Sequence, residues 1–241
     1  MTSCPTVLVM GGSGVLGRAL CRRFGHAGWH VGIHYYSHRA AALEVAKEIR
    51  THGGNAVVYH ADATQFSEVC KLARELKTHW HRLDVLICAL GQATSQLLLR
   101  IPPHVWEKTL HTNLTGVFNC LRALSPLFLE QGEGSVIVIG SLASTRGARG
   151  QVAYATAKAG LLGLMRTTAL EWGPANIRVN MVFPGWHPSP LAGSHFPAGI
   201  SHLDHCLGRT PQLHEVVDTV FHLAQLRDIS GQVFNLDSRL W

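Results

Sequence analysis

The sequence predicts an α/β fold in which a doubly wound parallel sheet of seven strands carries helices on both faces. Three observations lead to this prediction. Short apolar runs rich in β-branched residues alternate with longer segments whose apolar residues recur at helical spacing. Several of the short runs are almost wholly apolar, which is typical of strands buried on both faces. Because a helix separates each strand from the next, the strands must run parallel.

Seven segments fit the strand pattern in order along the chain. They are short, apolar and rich in valine and isoleucine, as buried strands are. The predicted strands are Thr6–Met10, Trp29–His34, Ala56–His60, Val85–Ala89, Ser135–Ile139, Arg178–Val182 and Val233–Leu236.

Six segments between these strands fit the helical pattern. Their apolar residues recur every three or four positions, so each helix has one apolar face that can pack on the sheet. The predicted helices are Leu16–Phe24, Ala40–Arg50, Glu68–His79, Val105–Leu129, Ala153–Glu171 and Glu215–Leu226. Each follows one strand and leads to the next, which is the Rossmann arrangement.

Length and composition suit one domain that spans residues 1–241. Of the 241 residues, 46% are apolar and 15% are charged, which provides for a sizeable core. No segment approaches the roughly 18 uninterrupted apolar residues of a membrane span. The N-terminus lacks a basic region and a cleavage site of small residues, so we expect no secretory signal and a cytoplasmic location. The stretch 184–209 is rich in Gly, Pro, Ser and His, and we interpret it as a substrate flap.

The charge, cysteine and histidine patterns narrow the classes of partner. The formal net charge of +6 suits an anionic partner, such as a phosphorylated cofactor, an acidic carrier protein or nucleic acid. The basic residues form no stripe with interleaved aromatics, so we expect no nucleic-acid binding. The six cysteines form no C-x-x-C pair, which favours free thiols in a reducing compartment. The sixteen histidines show no zinc-ligand spacing, so we expect no metal.

A glycine-rich segment joins the first predicted strand to the first helix. Residues 11–17 read G-G-S-G-V-L-G, which contains G-x-G-x-x-G from residue 12 and a second glycine spacing from residue 11. Such glycines let the backbone turn tightly and approach a pyrophosphate, which the positive end of the helix then faces. The predicted dinucleotide-binding residues in this loop are Gly11, Ser13, Gly14, Leu16 and Gly17.

The end of the second predicted strand favours NADP(H) over NAD(H). An acidic side chain at this place would bond the ribose hydroxyls of NAD, but residues 34–39 read H-Y-Y-S-H-R. The Ser37 hydroxyl and the Arg39 guanidinium are suited to a 2′-phosphate. The alternative is that Arg39 is only a solvated residue in the first turn of the next helix. Asp62, which follows the third strand, is predicted to cap a helix or to contact the adenine end.

Three polar residues have the spacing of a proton-transfer site. Ser141 follows the fifth predicted strand, and Tyr154 and Lys158 lie four residues apart on one face of the next helix. A nearby ammonium stabilises a phenolate, so we expect Lys158 to lower the pKa of Tyr154 and make it the acid/base. The Ser141 hydroxyl would hold the same carbonyl or alcohol oxygen, and Lys158 would also bind the nicotinamide ribose.

With these motifs, the chain resembles the short-chain dehydrogenase/reductase family over nearly its whole length. The matching segments, in the family's order, are Thr112–Phe118, Tyr154–Gly160, Ile177–Asn180 followed by Pro184-Gly185, and Ile229–Gln232. The resemblance implies that Asn113 is a fourth catalytic residue, which supports a water-mediated proton relay to Lys158. It also implies a homotetramer. The further cofactor contacts that follow from it are Ala89, Gly91, Tyr154, Lys158, Pro184, Gly185 and Ser189.

Within the family, the chain most resembles the 3-oxoacyl-acyl-carrier-protein reductases. This likeness rests on Ile139–Ser144, Gly150–Tyr154 and Leu97–Arg100. It implies an NADPH-dependent ketoreductase that reduces the keto group of a 3-oxoacyl thioester, carried by acyl carrier protein or CoA, to the 3-hydroxyacyl product. Two alternatives stay open. One is a reductase of another carbonyl, such as a sugar, steroid, quinone or secondary metabolite; the other is a non-catalytic nucleotide-sensing protein of the same fold.

The chain also departs from the family pattern. The usual Asn-Asn-Ala-Gly after the fourth strand is replaced by residues 88–91, C-A-L-G, so cofactor contacts there must come from the backbone. Val15 replaces a common glycine, and Ser189 stands where most relatives have the threonine that holds the carboxamide. The segment before Ile177 lacks a basic residue that carrier-dependent relatives often use, so the likeness supports keto reduction more than carrier binding.

Overall fold

The structure, a computed structural model, describes residues 4–187 and 205–239. Its centre is a parallel sheet of seven strands in the order β3-β2-β1-β4-β5-β6-β7. The strands are β1 (Thr6–Met10), β2 (His30–Tyr35), β3 (Asn55–His60), β4 (Val85–Cys88), β5 (Gly134–Ile139), β6 (Ile177–Phe183) and β7 (Val233–Asn235). The predicted doubly wound sheet is thus confirmed, and the order of its strands reverses between β1 and β4.

Eight α-helices lie between or after these strands in the part of the chain that the structure describes. They are α1 (Val15–His26), α2 (Arg39–Thr51), α3 (Phe66–Trp80), α4 (Pro103–Leu110), α5 (Gly116–Gln131), α6 (Ala143–Arg146), α7 (Val152–Trp172) and α8 (Leu213–Gln225). Over the same residues, no helix combines the length and the apolar character needed to cross a membrane.

Apolar side chains fill a core on each face of the sheet. Side chains of β1 alternate between the faces: Leu8 and Met10 lie in one core, and Val7 and Val9 in the other. Helices α3, α5 and α7 cover the first face, and α1, α2 and α8 cover the second. This burial on both sides is the physical reason for the nearly continuous apolar strands in the sequence.

The segment Val105–Leu129 is helical throughout, as predicted, but the structure interrupts its α-helix with a π-helical turn. Helix α4 ends at Leu110, a π-helical turn occupies His111–Thr115, and α5 begins at Gly116. One wider turn shifts the helical register by a single residue, which a search for 3.6-residue periodicity does not resolve. Most of the predicted flap, residues 188–204, lies outside the described residues.

The carboxyl ends of the strands meet at one edge of the sheet, as parallel pairing requires. The loops that follow β1 to β6 therefore lie near one another. Ligands of doubly wound sheets bind at this edge, in the crevice where the strand order reverses. The fold thus gathers residues that are far apart in the sequence beside the β1–β4 boundary.

Candidate active site

One large cleft opens at this edge of the sheet. Its volume is about 1100 Å³, which suits a dinucleotide with a small substrate. The cleft joins the glycine loop after β1 to Ser141, Tyr154 and Lys158. The predicted cofactor residues that line it are Gly11, Ser13, Gly14, Leu16, Gly17, Ser37, Asp62, Ala89, Gly91, Tyr154, Lys158, Pro184 and Gly185. Arg39 does not line it, and Ser189 lies outside the described residues.

The glycine loop fits the pyrophosphate of a dinucleotide. Gly11 has a φ of +80°, and a Cβ at this residue would lie 2.6 Å from the Ala89 carbonyl oxygen. A Cβ on Gly17 would lie 2.2 Å from the Gly11 carbonyl oxygen. Gly14 is the N-cap of α1, with no capping side chain and no acidic residue in the first turn. The positive end of the helix is therefore available to an anion.

His34 ties the glycine loop to two neighbouring strands, although no sequence motif marks it. The side chain is 1% exposed. Its Nδ1 accepts a 3.0 Å hydrogen bond from the Gly11 amide, and its Nε2–H donates a 2.9 Å hydrogen bond to the Ala61 carbonyl. An amide can only donate and a carbonyl only accept, so these bonds require the neutral ring with its proton on Nε2. Burial lowers the pKa of His34 to about 4.

We expect this arrangement to make folding sensitive to acid. The pKa of His34 in the folded chain lies below its ordinary value of 6.5. Between pH 6.5 and about 4, the unfolded chain therefore binds more protons at this residue than the folded chain does. Stability is present above that window and is lost within it, by about 1.4 kcal/mol per pH unit at most. Urea unfolding at several pH values measures this loss. His34→Gln, whose amide does not titrate, is expected to lose less stability than the wild type in the same window; parallel curves would exclude this role.

The turn after β2 lies at the cleft, but its arginine does not. Tyr36, Ser37 and His38 line the cleft, and Ser37 Oγ hydrogen-bonds to His38 Nδ1 at 3.0 Å. Arg39 is the exposed first residue of α2. Its contact with a 2′-phosphate stays a prediction, as does the solvated alternative.

Asp62 lines the cleft but does not cap the following helix. The N-cap of α3 is Gln65. The Asp62 carboxylate instead accepts hydrogen bonds from the amide and the hydroxyl of Thr64, at 2.9 and 2.7 Å. Of the two predicted roles, only the contact with the adenine end of a cofactor agrees with this position.

Ser141, Tyr154 and Lys158 come together at the wall of the cleft. Ser141 follows β5, while Tyr154 and Lys158 are one turn apart near the start of α7. The Ser141 hydroxyl is near enough to the phenol of Tyr154 to lower its pKa. Lys158 Nζ lies 5.8 Å from the centre of the Tyr154 ring. The three side chains therefore share one region of the cleft wall.

The expected lowering of the Tyr154 pKa is not found. Burial raises the pKa of Tyr154, and the Ser141 hydroxyl opposes this only in part. The Lys158 amine is directed elsewhere: it donates hydrogen bonds to the carbonyls of Ile139 at 2.9 Å and Leu90 at 3.2 Å. The phenol is thus protonated at neutral pH, which is the form that can donate a proton to a carbonyl oxygen.

Lys158 is buried, and we expect it to titrate near neutrality. Its side chain is 2% exposed, and the loss of solvation lowers its pKa from 10.5 to about 8. A base with a lowered pKa loses its charge earlier, so the amine is charged below about pH 8 and neutral above it. An NMR titration of the labelled lysine side chains checks this. One resonance, absent from Lys158→Arg, should have its midpoint near 8; a midpoint with the exposed lysines would contradict the expectation.

Asn113 lies behind the cleft wall rather than on it. It is fully buried in the π-helical turn between α4 and α5. Its Nδ2 donates hydrogen bonds to the carbonyls of Thr109 and Gln92, and its Oδ1 accepts one from the Gln92 amide. Because Gln92 lines the cleft, Asn113 fixes the wall next to the Lys158 amine.

The cysteine at the end of β4 is buried behind the cleft. Cys88 is fully buried, and together with burial it raises the pKa of the neighbouring Cys120 thiol well above its ordinary value. All six cysteines are free thiols. Within the described residues, no group of three or more His, Cys, Asp or Glu side chains could hold a metal ion.

Several lining residues have no motif that would have revealed them. Sequence reasoning missed Arg18, one turn into α1, and the face of α4 that borders the cleft. That face carries His104, Glu107 and Lys108, and His111 of the π-helical turn continues it at helical spacing. Only the knowledge that α4 borders the crevice could have singled them out.

Comparisons with known proteins identify related sequences. Residues 5–198 match the family model described as short chain dehydrogenase. A 3-oxoacyl-[acyl-carrier-protein] reductase of Synechocystis is 34% identical over 233 residues, which cover 95% of this chain and 94% of the relative. A 3-oxoacyl-[acyl-carrier-protein] reductase of Staphylococcus aureus is 32% identical over 191 residues, which cover 79% and 78%.

Solved structures share the fold. A variant of actinorhodin polyketide ketoreductase with NADPH superposes with a TM-score of 0.90 at 24% identity and covers 98% of this chain and 96% of that one. A short-chain type dehydrogenase/reductase from Mycobacterium ulcerans gives a TM-score of 0.92 at 23% identity, with 98% and 89% covered. At these identities the likeness concerns the fold alone.

Proposed function

The chain belongs to the short-chain dehydrogenase family, and from this premise we propose that it is an NADPH-dependent ketoreductase. It is an NAD(P)-dependent oxidoreductase that acts on CH–OH or C=O groups. We propose more specifically that it reduces the keto group of a 3-oxoacyl thioester to the 3-hydroxyacyl product. The observation that carries the proposal is that Ser141, Tyr154 and Lys158 line the same cleft as the glycine loop.

In the proposed reaction, Tyr154 donates the proton. When bound, the reduced nicotinamide would supply a hydride to the carbonyl carbon. The protonated phenol of Tyr154 then transfers its proton to the carbonyl oxygen, where negative charge develops. The Ser141 hydroxyl donates a hydrogen bond to the same oxygen and holds it in place. Lys158, charged below about pH 8, stabilises the phenolate that remains.

Asn113 is proposed to act through Lys158 and not on the substrate. Its side chain holds both backbone groups of Gln92, two residues beyond the Leu90 carbonyl that receives the Lys158 amine. It therefore positions the backbone along which a water could return a proton to Lys158. Asn113→Ala is expected to lower kcat more than it raises the KM for the substrate, because the residue touches no substrate.

The preference for NADPH is supported by the turn after β2. That turn places Tyr36, Ser37 and His38 at the cleft and contains no carboxylate that would repel a 2′-phosphate. The glycine loop would hold the pyrophosphate. The backbone of Ala89 and Gly91 would contact the nucleoside, because the end of β4 lacks the asparagine side chains that are usual in the family.

The thioester substrate is supported by the printed names of the relatives, which are 3-oxoacyl-[acyl-carrier-protein] reductases. The test is to mix the protein with NADPH and acetoacetyl-CoA and follow the loss of the nicotinamide absorbance. We expect turnover with the thioester and a much lower kcat/KM with sugar, steroid and quinone carbonyls tested in parallel. Turnover of one of those carbonyls alone would overturn the substrate class. No turnover with any carbonyl would favour a nucleotide-sensing protein.

We further propose that the protein works in the cytoplasm as a homotetramer. Helices α5 and α7 leave large apolar side chains uncovered: Phe118 is 43%, Leu129 51% and Leu170 80% exposed. These side chains are available to pack against another subunit, where they would form part of a contiguous apolar patch. Light scattering should give four times the chain mass of 26.3 kDa, and a monomer mass would refute the assembly.

A further inference from the structure

We infer that Arg18, on the first turns of α1, is the residue that binds the 2′-phosphate of the cofactor and so sets the preference for NADPH. The inference rests on the proposed function. It replaces the sequence prediction that placed this role on Arg39, and it starts from the charges along α1.

Helix α1 carries three arginines, and two of them are neutralised. Arg22 pairs with Glu48 of α2 at 2.7 Å, and Arg23 pairs with Asp218 of α8 at 2.6 Å. Arg18 makes no ion pair with any residue that the structure describes. Its Nε is buried and has no hydrogen-bond acceptor among those residues. A buried donor without a partner is costly, and an anion would relieve that cost.

The packing of α1 against α2 directs Arg18 to the ribose end of the cleft. Both helices begin at the carboxyl edge of the sheet, and the Arg22–Glu48 pair fixes their relative height. Arg18 is one turn nearer the cleft than Arg22 on the same face, about 6 Å along the axis. Helical side chains also point towards the start of their helix, which here is the cleft. Arg18 accordingly lines the cleft, as does Ala41 in the first turn of α2.

The cleft that Arg18 lines also holds the turn that a 2′-phosphate would meet. Ser37 and His38 line the same cleft and come from the turn between β2 and α2. In doubly wound dinucleotide sites, this turn is where the adenosine ribose is distinguished. A guanidinium can donate two parallel hydrogen bonds to a phosphate, which a lysine ammonium cannot match. Arg39 is exposed and outside the lining, so it is a matched control at the same turn.

The test compares two probes that differ only in the 2′-phosphate, adenosine 2′,5′-diphosphate carrying the extra group and 5′-AMP lacking it, by calorimetry. We expect the wild type to bind the 2′-phosphorylated probe more tightly. Arg18→Met, which keeps the aliphatic stem, should lower the affinity for that probe by about 10- to 100-fold and leave 5′-AMP nearly unchanged. Arg18→Lys should lose less, and Arg39→Met should leave both affinities unchanged.

The outcomes separate this inference from the proposed function. A wild type that binds both probes equally would overturn the NADPH preference and the role of Arg18 with it. The wild type could prefer the 2′-phosphorylated probe while Arg18→Met keeps that preference or Arg39→Met loses it. Either result would overturn the role of Arg18 and leave the proposed function standing. If Arg18→Met lost the same affinity for both probes, Arg18 would have a structural role instead. Arg18→Lys repeats the comparison if Arg18→Met does not fold, which its thermal unfolding will reveal.

Discussion

Replacing Tyr154 with phenylalanine is expected to lower kcat by about 10²- to 10⁴-fold, the range in which a general acid contributes. The change removes one hydroxyl, the group that gives its proton to the carbonyl oxygen. Ser141 retains its own hydroxyl and can still bind that oxygen, so the KM for the substrate should change little. The affinity for NADPH, measured by fluorescence titration, should also be nearly unchanged. The measurement is stopped-flow oxidation of NADPH under single-turnover conditions.

A matched control for this variant is available in the chain. Tyr59→Phe removes the same hydroxyl from a fully buried tyrosine that hydrogen-bonds to His79 and does not line the cleft. We expect Tyr59→Phe to lower the free energy of unfolding by about 1 kcal/mol and to leave kcat unchanged. Comparable rates for Tyr154→Phe and the wild type would refute the proposed proton donor, whatever the substrate.

Replacing Gly17 with alanine is expected to weaken NADPH binding by about 10- to 100-fold, because the new Cβ must displace backbone. It would lie 2.2 Å from the Gly11 carbonyl oxygen and 2.9 Å from Gly12 Cα. These atoms belong to the loop that approaches the pyrophosphate, so the loop and α1 must separate. Fluorescence titration gives the affinity, and urea unfolding gives a stability loss of about 1–3 kcal/mol.

Gly163→Ala is the control for that substitution. Gly163 is also a helical glycine, in α7, but its Cβ would have no heavy atom within 4 Å. Alanine at this position should leave NADPH binding unchanged and raise the stability by about 0.5–1 kcal/mol, since glycine is the poorer helix former. If Gly17→Ala bound NADPH as well as Gly163→Ala, the glycine loop would not be the pyrophosphate site.

The sequence predicts the sheet well because burial on both faces leaves a direct signature. The strands from Thr6 to Met10 and from Val85 to Cys88 are wholly buried, and both read as apolar runs. The glycine loop and the set of Ser141, Tyr154 and Lys158 can also be found in the sequence. Their residues lie at fixed spacings on elements that adjoin each other in the fold. The π-helical turn at His111–Thr115 is not visible, because it changes the register by one residue without a change of composition.

The features that the sequence does not reveal depend on tertiary packing. His34 is one polar residue in an apolar strand, and only the approach of Gly11 and Ala61 gives it two hydrogen-bond partners. The sequence does not distinguish Arg18 from Arg39 as a phosphate ligand. Only the packing of α1 beside α2 shows that Arg18 lines the cleft. The pKa of Tyr154 likewise depends on packing. The spacing from Lys158 predicts a lowered pKa, but burial of the phenol raises it.

The central claim is that Tyr154 and Ser141 hold the reacting carbonyl oxygen beside the bound nicotinamide. A crystal structure of the complex with NADP⁺ and acetoacetyl-CoA tests it directly. We expect the keto oxygen to lie about 2.6–3.2 Å from both Tyr154 Oη and Ser141 Oγ. A thioester bound with its keto oxygen out of reach of both hydroxyls would contradict it.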